Sequence, residues 1–189
     1  MISMNPSKLW LWRNYNYAAG HASRYSGSFR HMVRECIRAT TAAPTFFSPL
    51  LLNGTLYSDG ALLANNPTCV ALHEAAHIFP GVPVEAVVSL GTGCYNETAR
   101  DFSDPAVGWD SIVNQLISSA TETENTHDML TDLLPPDKYF RFNPVLPGDV
   151  AIDETRPDRL RGLKALAAGY FNTPERAARL EELAKILRR

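Results

Sequence analysis

Apolar and polar positions along the chain change their spacing from segment to segment, and the changes predict alternating strands and helices. Lys8 to Tyr17 alternates aromatic with polar residues, the period of two expected of a strand. His21 to Ser28, rich in Ser, Gly and Arg, predicts a loop with Ser28 as the N-cap of the next helix. Phe29, Met32, Val33, Cys36, Ile37 and Thr40 recur at three- and four-residue spacing, an amphipathic helix that Pro44 ends. Thr55 to Ser58 is a short β-favouring run behind the turn signal Asn53-Gly54, and a helix opened by Asn66-Pro67 runs to about Phe79, where Pro80-Gly81-Val82-Pro83 stops it. Glu85 to Leu90 is an apolar run ending in Gly91-Thr92-Gly93, the pattern of a buried strand. Val107 to Leu134 has helical spacing, in one long or two shorter helices, and Lys138 to Asn143 alternates as a strand. After a loop from Pro144 to Pro157, Thr173-Pro174-Glu175 caps a last amphipathic helix through Leu187. Strands interleaved with helices make the class α/β, with no internal repeat and no domain linker.

One acid stands out against this pattern. From Ala39 through His73 there is no Lys, Arg or Glu, and Asp59 is the only Asp. A carboxylate in so apolar a tract has to be hydrogen-bonded, paired or protonated, because burying it bare is costly. Asp59 falls at the end of the Thr55–Ser58 strand, with Gly60 expected to let the backbone turn sharply. Neighbours on a strand point to opposite faces, so Ser58 is not its partner. An isolated Asp-Gly pair is usually a surface turn, but here Leu62-Leu63 and Val70-Ala71-Leu72 continue apolar beyond it.

Composition narrows the setting. The 189 residues are one domain's worth of chain, 45% hydrophobic and 20% charged. Lys and Arg total 18 against 20 Asp and Glu, a net charge of -2, with no basic stripe for a phosphate backbone, so no nucleic-acid partner is expected. Cys36, Cys69 and Cys94 are widely spaced and form no C-x-x-C pair, which suits a reducing compartment. The uncharged tract from Ala39 to Ser58 is broken by Pro44, Pro49 and Asn53-Gly54 too often to span a membrane, and no targeting signal is visible.

Three other chemistries compete. His73-Glu74-Ala75-Ala76-His77 matches H-E-x-x-H on a predicted helix, where two imidazoles one turn apart would bind zinc with Glu97 as third ligand. A strand and Pro80-Gly81-Val82-Pro83 intervene before Glu97, so the metal site His73, His77, Glu97 is rejected, and His73, Glu74 and His77 are expected on the exposed side of their helix. Gly91-Thr92-Gly93 lacks the third glycine of a dinucleotide loop. A serine elbow G-x-S-x-G occurs nowhere, and Ser58 and Ser89 are strand residues.

Four segments together resemble the patatin-like phospholipases, most of all their calcium-independent phospholipase A2 branch. They are Arg13-Asn14-Tyr15-Asn16, Ala39 to Phe47 (Ala-Thr-Thr-Ala-Ala-Pro-Thr-Phe-Phe), Asp59 to Pro67 (Asp-Gly-Ala-Leu-Leu-Ala-Asn-Asn-Pro) and Val88 to Gly93. The match is motif-dense from 9 to 93 and only helical in character over 107–189. The resemblance implies an incomplete three-layer α/β/α sandwich, residues 1–189 forming part of a domain without the N-terminal strands that carry nucleophile and oxyanion loop. It implies a calcium-independent, cofactor-free lipid acyl hydrolase of phospholipase A2 or lysophospholipase type, working through a Ser-Asp dyad on phospholipid or another acyl ester at a membrane surface. Asp59 of Asp59-Gly60-Ala61 matches the base of that dyad, and burial makes a carboxylate a better base. The nucleophile is absent from these residues, so the polypeptide alone is expected to be inactive. A non-catalytic regulatory fragment is the alternative, associating through an exposed sheet edge. Phe46 and Phe47 are candidates for a substrate-side lip, with core packing the commoner fate of such rings. The family's setting implies an intracellular protein, soluble or peripheral to mitochondrial, endoplasmic reticulum or peroxisomal membranes.

Overall fold

The structure, a computed structural model, describes residues 2–4, 7–95, 123–148 and 150–188. They fall into two compact units, residues 1–82 with 106–126, and residues 83–105 with 127–189. Much of the helical stretch expected over Val107–Leu134 lies outside the described residues.

The first unit is a five-stranded mixed sheet, ordered β3-β2-β1-β5-β4. β1 (Ile2–Met4) runs antiparallel to both β2 (Ser7–Trp12) and β5 (Thr55–Ser58), and β3 (Ser26–Ser28) runs parallel to β2. β4 (Leu50–Leu52) and β5 form a hairpin in register Leu52↔Thr55. Its two turn residues, Asn53 and Gly54, both take positive φ (49° and 77°), the demand of a tight hairpin turn that Asn-Gly meets at least cost. Trp10, Trp12, Leu50 and Leu52 pack on Tyr57 of β5, with ring centroids 5.6 Å (Trp10) and 5.2 Å (Trp12) from the tyrosine.

Helix α1 (Val33–Thr40) reverses an expectation. Its spacing predicts an inward apolar side, yet Met32, Val33 and Ile37 are exposed, and Ala39, fully buried against Tyr57, is what the helix turns inward. A methyl group lets the helix backbone come close to the sheet, and that approach dictates which side faces out. Helix α2 (Ala61–Ala64) is a single turn, and α3 (Thr68–Ile78) succeeds Pro67. Asn66 Oδ1 accepts from the Thr68 amide at 3.3 Å and the Thr68 hydroxyl at 2.6 Å, which serves the start of α3.

In the second unit β6 (Val87–Leu90) and β7 (Tyr139–Phe142) pair in parallel. The helices are α4 (Glu124–Leu133), which begins among residues of the first unit, α5 (Pro157–Phe171) and α6 (Pro174–Leu187). The core joins Phe140, Phe142 and Leu183, with Tyr170, Phe171 and Ile186 around them. Arg179 of α6 donates to the carbonyls of Pro136 and Tyr139, both at 2.8 Å, and its guanidinium lies 4.3 Å from the Phe140 ring centroid. The strand expected to be buried is so on one face only: Ser89 is buried, whereas Val88 is exposed and Leu90 is 72% exposed. Thr173 holds the N-cap position of α6, but its hydroxyl donates back to the Tyr170 carbonyl instead of accepting from the helix.

Phe140, 1% exposed, is the largest fully enclosed side chain among the described residues. Phe140→Ala should cost the second unit about 3–5 kcal/mol, as ring deletions in packed cores do. Urea unfolding combined with hydrogen exchange of α6 amides would measure it, and a loss below about 1 kcal/mol would contradict such a core.

Candidate active site

Asp59 stands where β5 ends and α2 begins, half-buried. Its Oδ1 accepts from the backbone N–H of Ala61 at 2.8 Å, a turn that a short acidic side chain makes with the residue two ahead. Among the described residues Oδ2 has no hydrogen bond or ion pair. Gly60 is buried and sits at φ −75°, ψ −11°, ordinary right-handed backbone, so the turn does not need the conformational freedom expected of it. The same strand end is tied to a distant segment. The carbonyl of Ala42 accepts from the Asp59 amide at 3.1 Å and from the buried Ser58 hydroxyl at 3.0 Å. One carbonyl thus joins the Ala39–Phe47 motif to the Asp-Gly-Ala motif, 17 positions further on.

Beyond Ala42 the chain winds tightly. The amides of Phe46 and Phe47 both donate to the Ala43 carbonyl, at 3.2 and 3.0 Å, and Thr45 between them and Pro44 takes φ 70°. For a β-branched residue that is a strained backbone. Phe46 and Phe47 are held outward, 47% and 60% exposed, not in the core.

Glu74 corrects the expectation of an exposed helix side. Its side chain is 7% exposed and that of its partner Arg13 8%, with Nε 2.6 Å from Oε2 and Nη2 3.2 Å from Oε1. Tyr15 Oη donates to Oε2 at 2.8 Å, Ser23 Oγ makes a short bond to Oε1, and Arg13 Nη2 also reaches the Tyr25 carbonyl at 3.0 Å. Gly27 leaves room for this: a Cβ there would run into the Arg13 guanidinium and the Leu11 carbonyl. Burial would raise the Glu74 pKa, but the hydrogen bonds from Arg13, Ser23 and Tyr15 favour the anion and hold it at about 2. Tyr15 is pushed up to about 12, by burial and then by the carboxylate it donates to. The signal was present in the sequence: Glu74 is the only acid in α3.

Around it, His73 and His77 stack with ring centroids 4.1 Å apart, and His77 Nδ1 lies 2.8 Å from the His73 carbonyl. His73 Nε2 is buried without a hydrogen-bond partner among the described residues, and burial, then the nearby His77, pushes its pKa down. Glu97 lies outside the described residues, among which no group of three His, Cys, Asp or Glu is placed to hold a metal. Glu74, which zinc chemistry would use as a base, is already committed to Arg13.

The chain is similar to the patatin-like phospholipases: that family's model matches residues 13–72, from Arg13 through the Ala42–Asp59 junction into α3. It is 40% identical over 183 residues to the calcium-independent phospholipase A2-gamma of Homo sapiens, covering 95% of this chain and 23% of that protein. Against the protein of the same name from Rattus norvegicus it is 40% identical over 182 residues, 96% of this chain and 23% of that one. It is 31% identical over 192 residues to phospholipase A I of Arabidopsis thaliana, 83% of this chain and 14% of that protein. The chain therefore spans less than a quarter of the length of these relatives.

The Arg13–Glu74 pair sets a pH dependence. A carboxyl depressed from 4.5 to about 2 on folding stabilises the fold fully above 4.5, and that contribution fades as pH falls toward about 2. Glu74→Gln should cost about 3 kcal/mol at neutral pH, since it leaves a buried guanidinium unpaired. The gap between wild type and variant should close on acidification through this window. Chemical denaturation at a series of pH values measures it, and a gap independent of pH would refute the assignment.

Proposed function

We propose that this chain is the base-bearing part of a lipid acyl hydrolase, cleaving fatty acyl esters of phospholipids through a Ser-Asp dyad in which Asp59 is the proton acceptor. The observation that carries the reading is the Asp59 carboxylate: one oxygen is pinned by the Ala61 amide and the other is unengaged among the described residues. Pinning one oxygen fixes the carboxylate's orientation, which a general base needs, and leaves an acceptor for a hydroxyl proton. The serine would come from sequence not among these residues. Its Oγ attacks the ester carbonyl as its proton passes to Asp59, the ester C–O bond breaks and the leaving oxygen takes that proton from Asp59, and a water deprotonated by Asp59 then attacks the acyl-serine, releasing the fatty acid as the proton returns to Oγ. No residue here is asked to hold a cofactor. The match to patatin-like sequence over 13–72 and the phospholipase names of the relatives support the substrate class.

No described helix is long and apolar enough to cross a membrane, which is compatible with action at a lipid surface from outside the bilayer. β3 and β4 are the outer strands of the five-stranded sheet, and Leu51 on β4 is exposed, so association with further strands through that edge belongs to the same proposal.

Two preparations test it. The polypeptide 1–189 should release no fatty acid from phospholipid or from a soluble thioester. An extended polypeptide carrying an upstream G-x-S-x-G should hydrolyse both, and Asp59→Asn in it should lower kcat about a hundredfold or more with little change in KM. Hydrolysis that survives Asp59→Asn would remove Asp59 from the mechanism, and turnover by 1–189 alone would remove the need for the missing serine.

A further inference from the structure

The outward side of α1 is apolar where a soluble helix is normally polar. Val33 is 74% exposed and Ile37, one turn later, 56%, with exposed Met32 just ahead of them. Beside this row runs a second, Arg34 and Arg38, also one turn apart and exposed. Arg38 connects the helix to the phenyl loop: its Nη2 donates to the Ser48 carbonyl at 2.7 Å, and its guanidinium lies 6.0 Å from the Phe47 ring centroid. Arg30 lies similarly over the exposed Phe29, at 5.5 Å. None of these three arginines has an acidic partner among the described residues. Glu35, the one acid on α1, accepts from the Met32 amide and lies 3.7 Å from His31.

We propose that α1 and the Phe46–Phe47 loop form a docking face for an anionic lipid bilayer, Val33, Ile37 and Phe47 entering the acyl boundary while Arg34 and Arg38 engage lipid phosphates. The inference rests on the acyl-hydrolase reading and gives that enzyme the surface by which it meets its substrate. Three observations select this occupant. Exposed apolar side chains interleaved with arginines that lack acidic partners match the two layers of a membrane interface, headgroup anions above hydrocarbon. A second copy apposed through the same face would bring like-charged arginine rows together, which opposes a symmetric dimer there. The guanidinium groups of Arg30 and Arg38 lie over the exposed rings of Phe29 and Phe47, and among the described residues Arg38 donates only to the Ser48 carbonyl, which keeps the positive charge beside the rings at the surface.

The test is co-sedimentation of polypeptide 1–189 with vesicles of phosphatidylcholine alone and of phosphatidylcholine mixed with phosphatidylglycerol. Binding should favour the anionic vesicles and weaken with salt, and Arg34→Glu and Ile37→Asp should each reduce it about tenfold. Both positions are exposed, so far-UV circular dichroism should match wild type; Val33→Ser supplies a milder apolar variant should Ile37→Asp perturb folding. Equal binding to both vesicle types, or variants that bind as wild type does, would overturn the proposal. So would a dimer in sedimentation velocity that Ile37→Asp dissociates while vesicle binding is absent, the sign that a second copy covers the face. The extended polypeptide separates this failure from failure of the catalytic reading. Ile37→Asp should spare hydrolysis of a soluble thioester and impair only vesicle hydrolysis, whereas a wrong mechanism would show as Asp59-independent turnover on either.

Discussion

Withdrawing the Glu74 carboxylate and the Arg13 guanidinium from water carries a desolvation penalty that their mutual attraction offsets only when the remaining hydrogen-bonding positions are filled. Much of the first unit's local structure comes from filling them. Tyr15 and Ser23 donate hydroxyl hydrogen bonds to the carboxylate, and the Tyr25 carbonyl accepts one from the guanidinium. The segment between β2 and β3 carries these groups as the chain loops back and then runs beside β2 in the same direction, as β3, parallel in register Leu11↔Gly27. Gly27 falls at the point of closest approach to Arg13, where any side chain would collide. Because Glu74 belongs to α3, the pair also fixes that helix against the segment after β2, 61 residues earlier in the chain. The helix is reached through Asp59 and α2, so the pair anchors the far side of the connection on which the candidate base stands.

How much of this is legible in the sequence depends on whether the cause is local. The β4–β5 hairpin and the strand end at Asp59 come from Asn53-Gly54 and the Thr-Leu-Tyr-Ser run, causes contained within a few residues. Helices α3 and α6 and strand β7 match their periodicity within a residue or two. Strand β3 does not show, because Ser-Gly-Ser has no strand preference of its own and is held by its neighbour. Leu50–Leu52 becomes β4 through its partner β5. Helix α5 lies beyond the periodic segments, although Pro157 at its first position and Asp158 in its first turn are ordinary start signals. Periodicity locates α1 from Val33 on but not its start, since Ser28, the expected N-cap, ends β3 and Met32 holds the cap position; nor does it give the inward side, where the choice between Ile37 and Ala39 is made by how near Tyr57 lies. The burial of Glu74 is likewise beyond local reading: the motif H-E-x-x-H draws attention to the right residue for a different chemistry, and its partner lies among the aromatic residues near the start of the chain.

The segment Ala39–Phe47 shows how one constraint serves two ends. Ala39 has to be small for α1 to reach Tyr57, and that close approach brings the helix end to where the Ala42 carbonyl meets Ser58 and Asp59. With Ala42 so held and Pro44 fixing its own φ, the chain has few ways to leave the sheet. It leaves through Thr45 at φ 70°, a conformation costing about 1–3 kcal/mol for a non-glycine residue and kept only where the surroundings over-determine it. The Ala43 carbonyl completes that determination by accepting from the Phe46 and Phe47 amides. Backbone strain at Thr45 and ring exposure at Phe46 and Phe47 are therefore a single feature. A relaxed turn would let the rings fold onto the protein, and exposing them would then need another cause. The neighbouring carbonyls of Ala42 and Ala43 thus serve the two ends, the first holding the amide of the candidate base and the second the amides of the candidate lipid-facing rings.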